Sequence, residues 1–114
     1  MALFGKKNKD TNSGSELKIS VKNEGKEYTF LLDGRLDTMT SPSFEEKINK
    51  VVDDAEKLII DLSDLLYISS AGLRVLLGAT QQMEGKGRLI VRNPNQAVRE
   101  VFDLTGFSRL FNIE

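Results

Sequence analysis

The spacing of hydrophobic and polar positions changes several times along the chain, and each change predicts a different element. In residues 17–21 apolar and polar side chains alternate, which is the period of a strand with one buried face. A second apolar segment follows at 28–32, and Asn23 and Gly25 between the two are turn-forming residues. We therefore expect a β-hairpin whose second strand ends near Gly34.

The next segment has the spacing of an amphipathic helix. Ser41 is predicted to be its N-cap and Pro42 its first residue, because a serine side chain can accept from a free backbone N–H and proline has no N–H to leave unpaired. Apolar residues then recur at intervals of three and four, which predicts one buried stripe. The stripe consists of Phe44, Ile48, Val51, Val52 and Ala55.

A short, continuous apolar run with β-branched residues occupies 57–62 and predicts a central strand that is buried on both faces. Helical spacing returns from Ala71 to about Gly85, and another apolar run at 87–91 predicts a further strand. A last helix is predicted at 97–105.

The final part of the chain carries signals for where this last helix begins and ends. Asn95 is predicted to cap it and Gly106 to end it, and a last apolar turn follows with Phe107, Leu110 and Phe111. The resulting order is β-β-α-β-α-β-α. It predicts a single α/β domain with a mixed sheet of four to five strands, three to four helices, and parallel pairing in its second half.

Length and composition limit the possible functions. The 114 residues fit one domain, with residues 1–15 expected to be a flexible tail and 16–114 the folded part. The 16 basic and 17 acidic residues give a net charge of −1, so we expect no nucleic-acid partner. No apolar stretch approaches the roughly 18 residues that span a bilayer, so no membrane partner is expected either.

The chain contains neither cysteine nor histidine. Their absence excludes disulfides, a Ser-His-Asp triad and the commonest zinc sites, and it fits a reducing cytoplasm. No phosphate-binding loop of the G-x-x-x-x-G-K-[ST] type occurs. We expect no metal and no cofactor.

Candidate chemistry concentrates in residues 65–77, which read LLYISSAGLRVLL. Ser69 and Ser70 lie at the predicted junction between a strand and a helix, where a serine is most often an N-cap. One serine suffices for a cap. The small residues Ala71 and Gly72 leave room for a partner's backbone or a phosphoryl donor to approach. Both roles, cap and contact site, remain open from the pattern alone.

Two alternative functions lack residues that they require: a hydrolase with a serine nucleophile, and a receiver domain with an aspartate phosphoacceptor. A nucleophile elbow needs a glycine where the chain has Ile68, and it needs a histidine to activate the serine. A receiver-type phosphoacceptor at Asp61 needs further carboxylates to hold a divalent cation, and the first strand is followed by no acidic pair. We expect Asp61 to shape a turn together with Ser63 and Asp64.

Four stretches together resemble the STAS domain family of bacterial anti-sigma factor antagonists. They are LDGRLD at 32–37, LLYISSAGLRVLL at 65–77, GRLIV at 87–91 and VFDLTGF at 101–107. The resemblance covers 16–114 and keeps the family's order. It implies a cytoplasmic switch protein that is not an enzyme and that binds an anti-sigma factor, itself a serine kinase of the histidine-kinase-like ATPase fold. Such binding frees the sigma factor.

The resemblance also implies which residues act. Aligned on Gly72 and Leu73, the family's phosphorylated serine falls on Ser70, and phosphorylation releases the partner until a metal-dependent serine phosphatase removes the phosphate. The family often has an acidic residue where this chain has Ser69. The implied contact surface comprises Asp37, Thr38, Ser69, Ala71, Gly72 and Arg74.

Two of these assignments have alternatives, as does the function. Arg74 could pair with a partner carboxylate or be a solvated helix residue, and Asp37 could be a helix cap instead. The family also includes adaptor domains that bind a protein or small ligand without being phosphorylated, and this is the second reading of the whole chain.

Overall fold

A computed structural model describes residues 16–114. The predicted tail, 1–15, lies outside the described residues. The predicted order of elements is confirmed, with a 3-10 turn at Phe107–Arg109 and a short fifth strand added at the end. The strands and helices are β1 Leu17–Glu24, β2 Glu27–Leu36, α1 Ser41–Val51, β3 Lys57–Ile68, α2 Ser70–Met83, β4 Arg88–Arg92, α3 Gln96–Thr105 and β5 Asn112–Ile113.

The five described strands form one mixed sheet in the order β1-β2-β3-β4-β5. The pair β1–β2 is antiparallel and is closed by a turn at Gly25 and Lys26, where Gly25 has a φ of 61° that favours glycine. All other neighbouring strands are parallel, and each parallel pair is connected through a helix. The predicted mixed α/β sheet is therefore confirmed.

The main core lies between the sheet and its three helices. Alternate strand residues such as Phe30, Leu58 and Ile60 join side chains of α1, α2 and α3 in one buried cluster. Ile59 is also buried, and its side chain points to the opposite face because successive residues of a strand alternate. The prediction that 57–62 is a strand buried on both faces is thus confirmed.

The predicted start of α1 is wrong by one residue. Thr40 is the residue before the helix, and Ser41 is the first helical residue rather than the N-cap. Ser41 is 3% exposed, and its Oγ has no hydrogen-bond partner among residues 16–114. The apolar stripe is correct, although the helix ends at Val51 and Ala55 packs against the core from the turn that follows.

Two strands run further than predicted. β2 does not end at Gly34 but continues to Leu36, and β3 does not turn at Asp61 but continues to Ile68. The parallel pairing of β2 and β3 shifts register twice, once beyond Leu31 and once beyond Gly34. These irregularities let the pairing continue through a polar segment that resembles a turn in sequence. They also carry both strands to the edge where the two serines lie.

Candidate functional site

The candidate site lies at the carboxyl ends of β2 and β3. Leu36 pairs with Ile68 in the sheet, and the Ser69 N–H donates to the Leu36 carbonyl oxygen at 2.9 Å. The loop after β2 and the start of α2 are therefore held side by side. This contact brings together residues that are more than 30 positions apart in the sequence.

The two serines have different environments. Ser69 has extended backbone angles, and its Oγ accepts from the Gly72 N–H at 3.4 Å while its carbonyl accepts from the Leu73 N–H at 2.9 Å. Ser69 is therefore the N-cap of α2. Ser70 is the first helical residue; its side chain is exposed, and its Oγ makes no hydrogen bond within the described part of the chain. The Ser70 hydroxyl is therefore the more accessible of the two, while Ser69 is half-buried and its Oγ is engaged by the Gly72 N–H.

Gly72 has an internal role that the sequence did not reveal. The residue is buried, and a Cβ placed on it would lie 2.8 Å from Leu36 Cγ and 2.9 Å from Ile68 Cγ1. A glycine is required here because α2 packs closely on the ends of β2 and β3. Ala71 beside it is half-buried. Contact between a partner and the backbone at these two residues stays a prediction.

The loop after β2 is held by a reciprocal pair of side chains. Asp37 Oδ1 accepts from the backbone N–H groups of Met39 at 3.0 Å and Thr40 at 3.1 Å. In return Thr40 Oγ1 accepts from the Asp37 N–H at 2.9 Å and donates to the Arg35 carbonyl at 2.8 Å. These bonds close the turn that leads into α1. The N-cap of α1 is Thr40, without a side-chain cap hydrogen bond, so Asp37 orders the loop before the helix rather than capping the helix itself.

Arg35, near the end of β2, contacts the same loop. Its Nε lies 4.0 Å from Asp37 Oδ2, and its guanidinium carbon lies 4.4 Å from the centre of the Tyr67 ring. The cation therefore contacts both a carboxylate and an aromatic face. These contacts fix the loop that presents Thr38, whose side chain is exposed.

A groove between α1 and α2 gathers several of the predicted residues. An open cavity of about 230 Å³ is lined by Thr38 and Ser41 on one side and by Ala71 and Arg74 on the other. Arg74 is exposed and forms no ion pair or side-chain hydrogen bond within residues 16–114. The structure therefore brings Thr38, Ala71 and Arg74 to one surface beside Ser70.

Exposed apolar side chains at the same end of the sheet were missed by the sequence reasoning. Met39 is 75% exposed, Leu66 is 67% exposed and Tyr67 is 41% exposed. Single exposed apolar residues are common, but Met39 lies in the loop after β2, and Leu66 and Tyr67 lie at the end of β3, just before Ser69. The apolar residues 65–68 could have indicated this surface. Because a turn was predicted near Ser63, these residues were not assigned to a strand, and the exposure of side chains among them was not predicted.

The described residues can also be compared with the geometry of metal sites and of membrane-spanning helices. Within 16–114, no group of three acidic side chains is arranged to hold a metal ion. Asp61 Oδ1 accepts from the Ser63 N–H at 2.9 Å, but both residues lie within the continuous strand β3, so the turn predicted at Asp61, Ser63 and Asp64 is wrong. None of the helices in this range has the length and apolar character to cross a bilayer.

Comparison with known proteins identifies the family. The STAS domain family matches residues 18–114. The chain belongs to the STAS domain family. A relative of this STAS domain is BtrV of Bordetella bronchiseptica, which is provisionally named an anti-sigma factor antagonist. It is 38% identical over 84 residues, which cover 72% of this chain and 72% of the relative.

Solved structures share the fold of this STAS domain. An anti-sigma factor antagonist from Mycobacterium paratuberculosis superimposes with a TM-score of 0.79 and 26% identity, covering 86% of this chain and 85% of the other. The unphosphorylated form of the anti-sigma factor antagonist SpoIIAA gives a TM-score of 0.75 at 23% identity, covering 85% and 88%. The phosphorylated form of SpoIIAA, from Bacillus, gives 0.69 at 22% identity, covering 85% and 91%.

Proposed function

We propose that this STAS domain is an anti-sigma factor antagonist whose binding is controlled by phosphorylation of Ser70. The observation that carries the proposal is the exposed Ser70 hydroxyl, which makes no hydrogen bond in the described structure and stands at the first position of α2. The names of its relatives support the antagonist role. The partner is an anti-sigma factor serine kinase of the histidine-kinase-like ATPase fold.

In the unphosphorylated state, the domain docks on this kinase through the surface around Ser70. Thr38 and Arg74 supply polar contacts, and the exposed side chains of Met39 and Leu66 supply apolar area for burial. Occupation of the anti-sigma factor by this surface frees the sigma factor in the cytoplasm. The domain's role in this scheme is binding, and the chemistry is performed by the kinase.

Phosphorylation proceeds by transfer of the γ-phosphoryl group of ATP. Ser70 Oγ attacks the γ-phosphorus, the bond to the oxygen that bridges the β- and γ-phosphates breaks, and ADP leaves. The hydroxyl proton passes to a base of the kinase. The product carries about −1.5 to −2 charges at pH 7. Because the site is a helix N-terminus, the helix dipole and free N–H groups tolerate the anion and the domain stays folded.

Release follows from repulsion and desolvation at the interface. The new phosphate would face a kinase site that holds nucleotide phosphates, and a loss of about 2.7 kcal/mol already weakens binding roughly a hundredfold. A metal-dependent serine phosphatase reverses the switch. Water attacks the phosphorus, inorganic phosphate leaves, and the Ser70 hydroxyl is restored.

Phosphate mapping tests this proposal. The purified chain is incubated with its cognate anti-sigma kinase and MgATP, and the modified residue is located by mass spectrometry. We expect one phosphate on Ser70 in the parent and in Ser69→Ala, and none in Ser70→Ala. Absence of phosphate from Ser70 in the parent protein would reject the switch.

A STAS adaptor that binds a protein without being phosphorylated is the second candidate. The exposed Met39 and Leu66 would serve an adaptor as well as the switch, because an apolar contact can form whether or not Ser70 is modified. A pull-down distinguishes the two functions. An adaptor retains its partner equally in Ser70→Ala and Ser70→Asp, whereas the switch retains it only in Ser70→Ala.

A further inference from the structure

We propose that Arg74 binds the phosphate on Ser70, so that phosphorylation both adds an anion to the contact surface and withdraws a cation from it. This inference rests on the proposed function, because it requires a phosphate at Ser70. The two residues are four positions apart in α2, and both are exposed. Residues at i and i+4 are neighbours on a helix surface, and an anion N-terminal to a cation is the favourable order.

Arg74 is available for this contact. In the part of the chain that the structure describes, its guanidinium has no ion pair, whereas Arg35 lies beside Asp37 and Arg88 lies beside Glu114 at 3.8 Å. A guanidinium can donate two parallel hydrogen bonds to a phosphate. Among the described residues that line the groove, the other charged side chain is Glu45, on α1. Its negative charge disfavours movement of the phosphate towards α1 and leaves Arg74 as the cation of the groove.

The backbone at the start of α2 contributes to the same site. The Gly72 N–H is taken by Ser69 Oγ and the Leu73 N–H by the Ser69 carbonyl. The N–H groups of Ser70 and Ala71 precede them and, by position, have no acceptor within the helix. The phosphate can therefore accept from the helix N-terminus on one side and from Arg74 on the other.

The contact between Arg74 and the phosphate changes which charges are available to the partner. In the unphosphorylated domain, the free guanidinium of Arg74 can pair with a carboxylate of the kinase. In the phosphorylated domain the same guanidinium is occupied by the phosphate. Release then has two causes that act together: a repulsive anion is gained and an attractive cation is lost.

The test uses phosphoserine incorporated at position 70 during synthesis, so that no kinase is needed. The second ionisation of the phosphate is followed by ³¹P NMR as a function of pH. We expect its pKa in the parent to lie roughly 0.3 unit or more below that in Arg74→Gln, because a nearby cation favours the dianion. Arg74→Lys should recover part of the difference.

The control is Arg99→Gln, which removes the same charge from an exposed position on α3. It should leave the pKa of the phosphate unchanged. A second readout is the Nε–H resonance of Arg74, which should shift and exchange more slowly only in the phosphorylated protein. Equal phosphate pKa values in the parent and Arg74→Gln would overturn the inference. Failure of the kinase to modify Ser70 would instead reject the proposed function.

Discussion

The two neighbouring serines at the start of α2 differ in their structural roles. Ser69 has φ −100° and ψ 176°, so it lies just before the helix, and its Oγ can accept a hydrogen bond from the Gly72 N–H. Ser70 is one residue further, is the first residue of the helix, and is exposed. The sequence contains both hydroxyls, but only backbone angles distinguish the cap from the exposed group.

Alanine substitution of each serine should therefore give different results. We expect Ser69→Ala to lower the free energy of unfolding by about 1 kcal/mol, since it removes the N-cap. Ser70→Ala should change it by less than about 0.5 kcal/mol, because an exposed side chain without such a contact is lost. Urea denaturation of both variants measures the difference. Equal destabilisation by the two substitutions would show that the cap is wrongly assigned.

Gly72 and Gly78 offer a second matched pair in the same helix. Gly72→Ala forces a Cβ against Leu36 and Ile68, and overpacking of this kind typically costs about 1–3 kcal/mol. At Gly78 a Cβ meets no atom of the described residues within 4 Å, so Gly78→Ala should stabilise the domain by up to about 1 kcal/mol through helix propensity. Thermal and urea unfolding measure both. Stabilisation by Gly72→Ala would contradict the proposed close packing.

At the scale of elements, the length of β2 and β3 positions the site. If either strand ended where its sequence suggests, the loop at Asp37 and the cap at Ser69 would not be joined through the Leu36 carbonyl. The polar residues Ser63 and Asp64 resemble a turn, yet they lie in a strand because β2 continues beside them. Strand length here is decided by a partner strand, which local periodicity does not report.

A contact at the other end of β2 gives a prediction about pH. The Tyr28 hydroxyl donates to Asp54 Oδ2 at 2.7 Å, which ties β2 to the turn after α1. This hydrogen bond raises the pKa of Tyr28 above its usual 10.0, with smaller contributions from desolvation and the negative charge of Asp54. Because the folded-state pKa is raised, the contribution to stability is full below the unfolded value and is lost as pH rises through the folded one.

Titration of the phenol tests this contact. In a Tyr67→Phe background, Tyr28 is the remaining tyrosine, and its ionisation is followed by ultraviolet absorbance. We expect Asp54→Ala to lower the titration midpoint. Asp53→Ala is the control, because Asp53 binds Lys86 and is exposed. A midpoint that Asp54→Ala leaves unchanged would show that the bond is not formed in solution.

At the scale of the whole molecule, the sequence predicted what depends on local spacing. The hairpin, the stripe of α1, the buried run of β3 and the cap at Asn95 all follow from residues that are close in sequence. The groove that places Thr38 opposite Arg74 depends on contact between α1 and α2. The two-residue β5 depends on pairing with β4. Neither could be predicted without the tertiary structure.

The buried core of the domain and the surface that carries Ser70 are separate. The core cluster beneath the helices includes buried side chains such as Phe30, Phe44 and Leu76, and Ser70 is not part of it. A charge added to Ser70 therefore changes the surface without entering the core. Under the proposed function, this separation would let a phosphate on Ser70 alter binding while the fold stays intact.

The affinity of the anti-sigma kinase for the two forms of the domain tests the central claim most directly. Unmodified protein and protein with phosphoserine at position 70 are titrated into the nucleotide-bound kinase by calorimetry, and the thermal unfolding of each form is recorded. We predict that phosphorylation weakens binding by roughly a hundredfold or more. The melting temperature should change by only a few degrees. Equal affinities for the two forms, or a phosphorylated domain that no longer folds, would contradict the account.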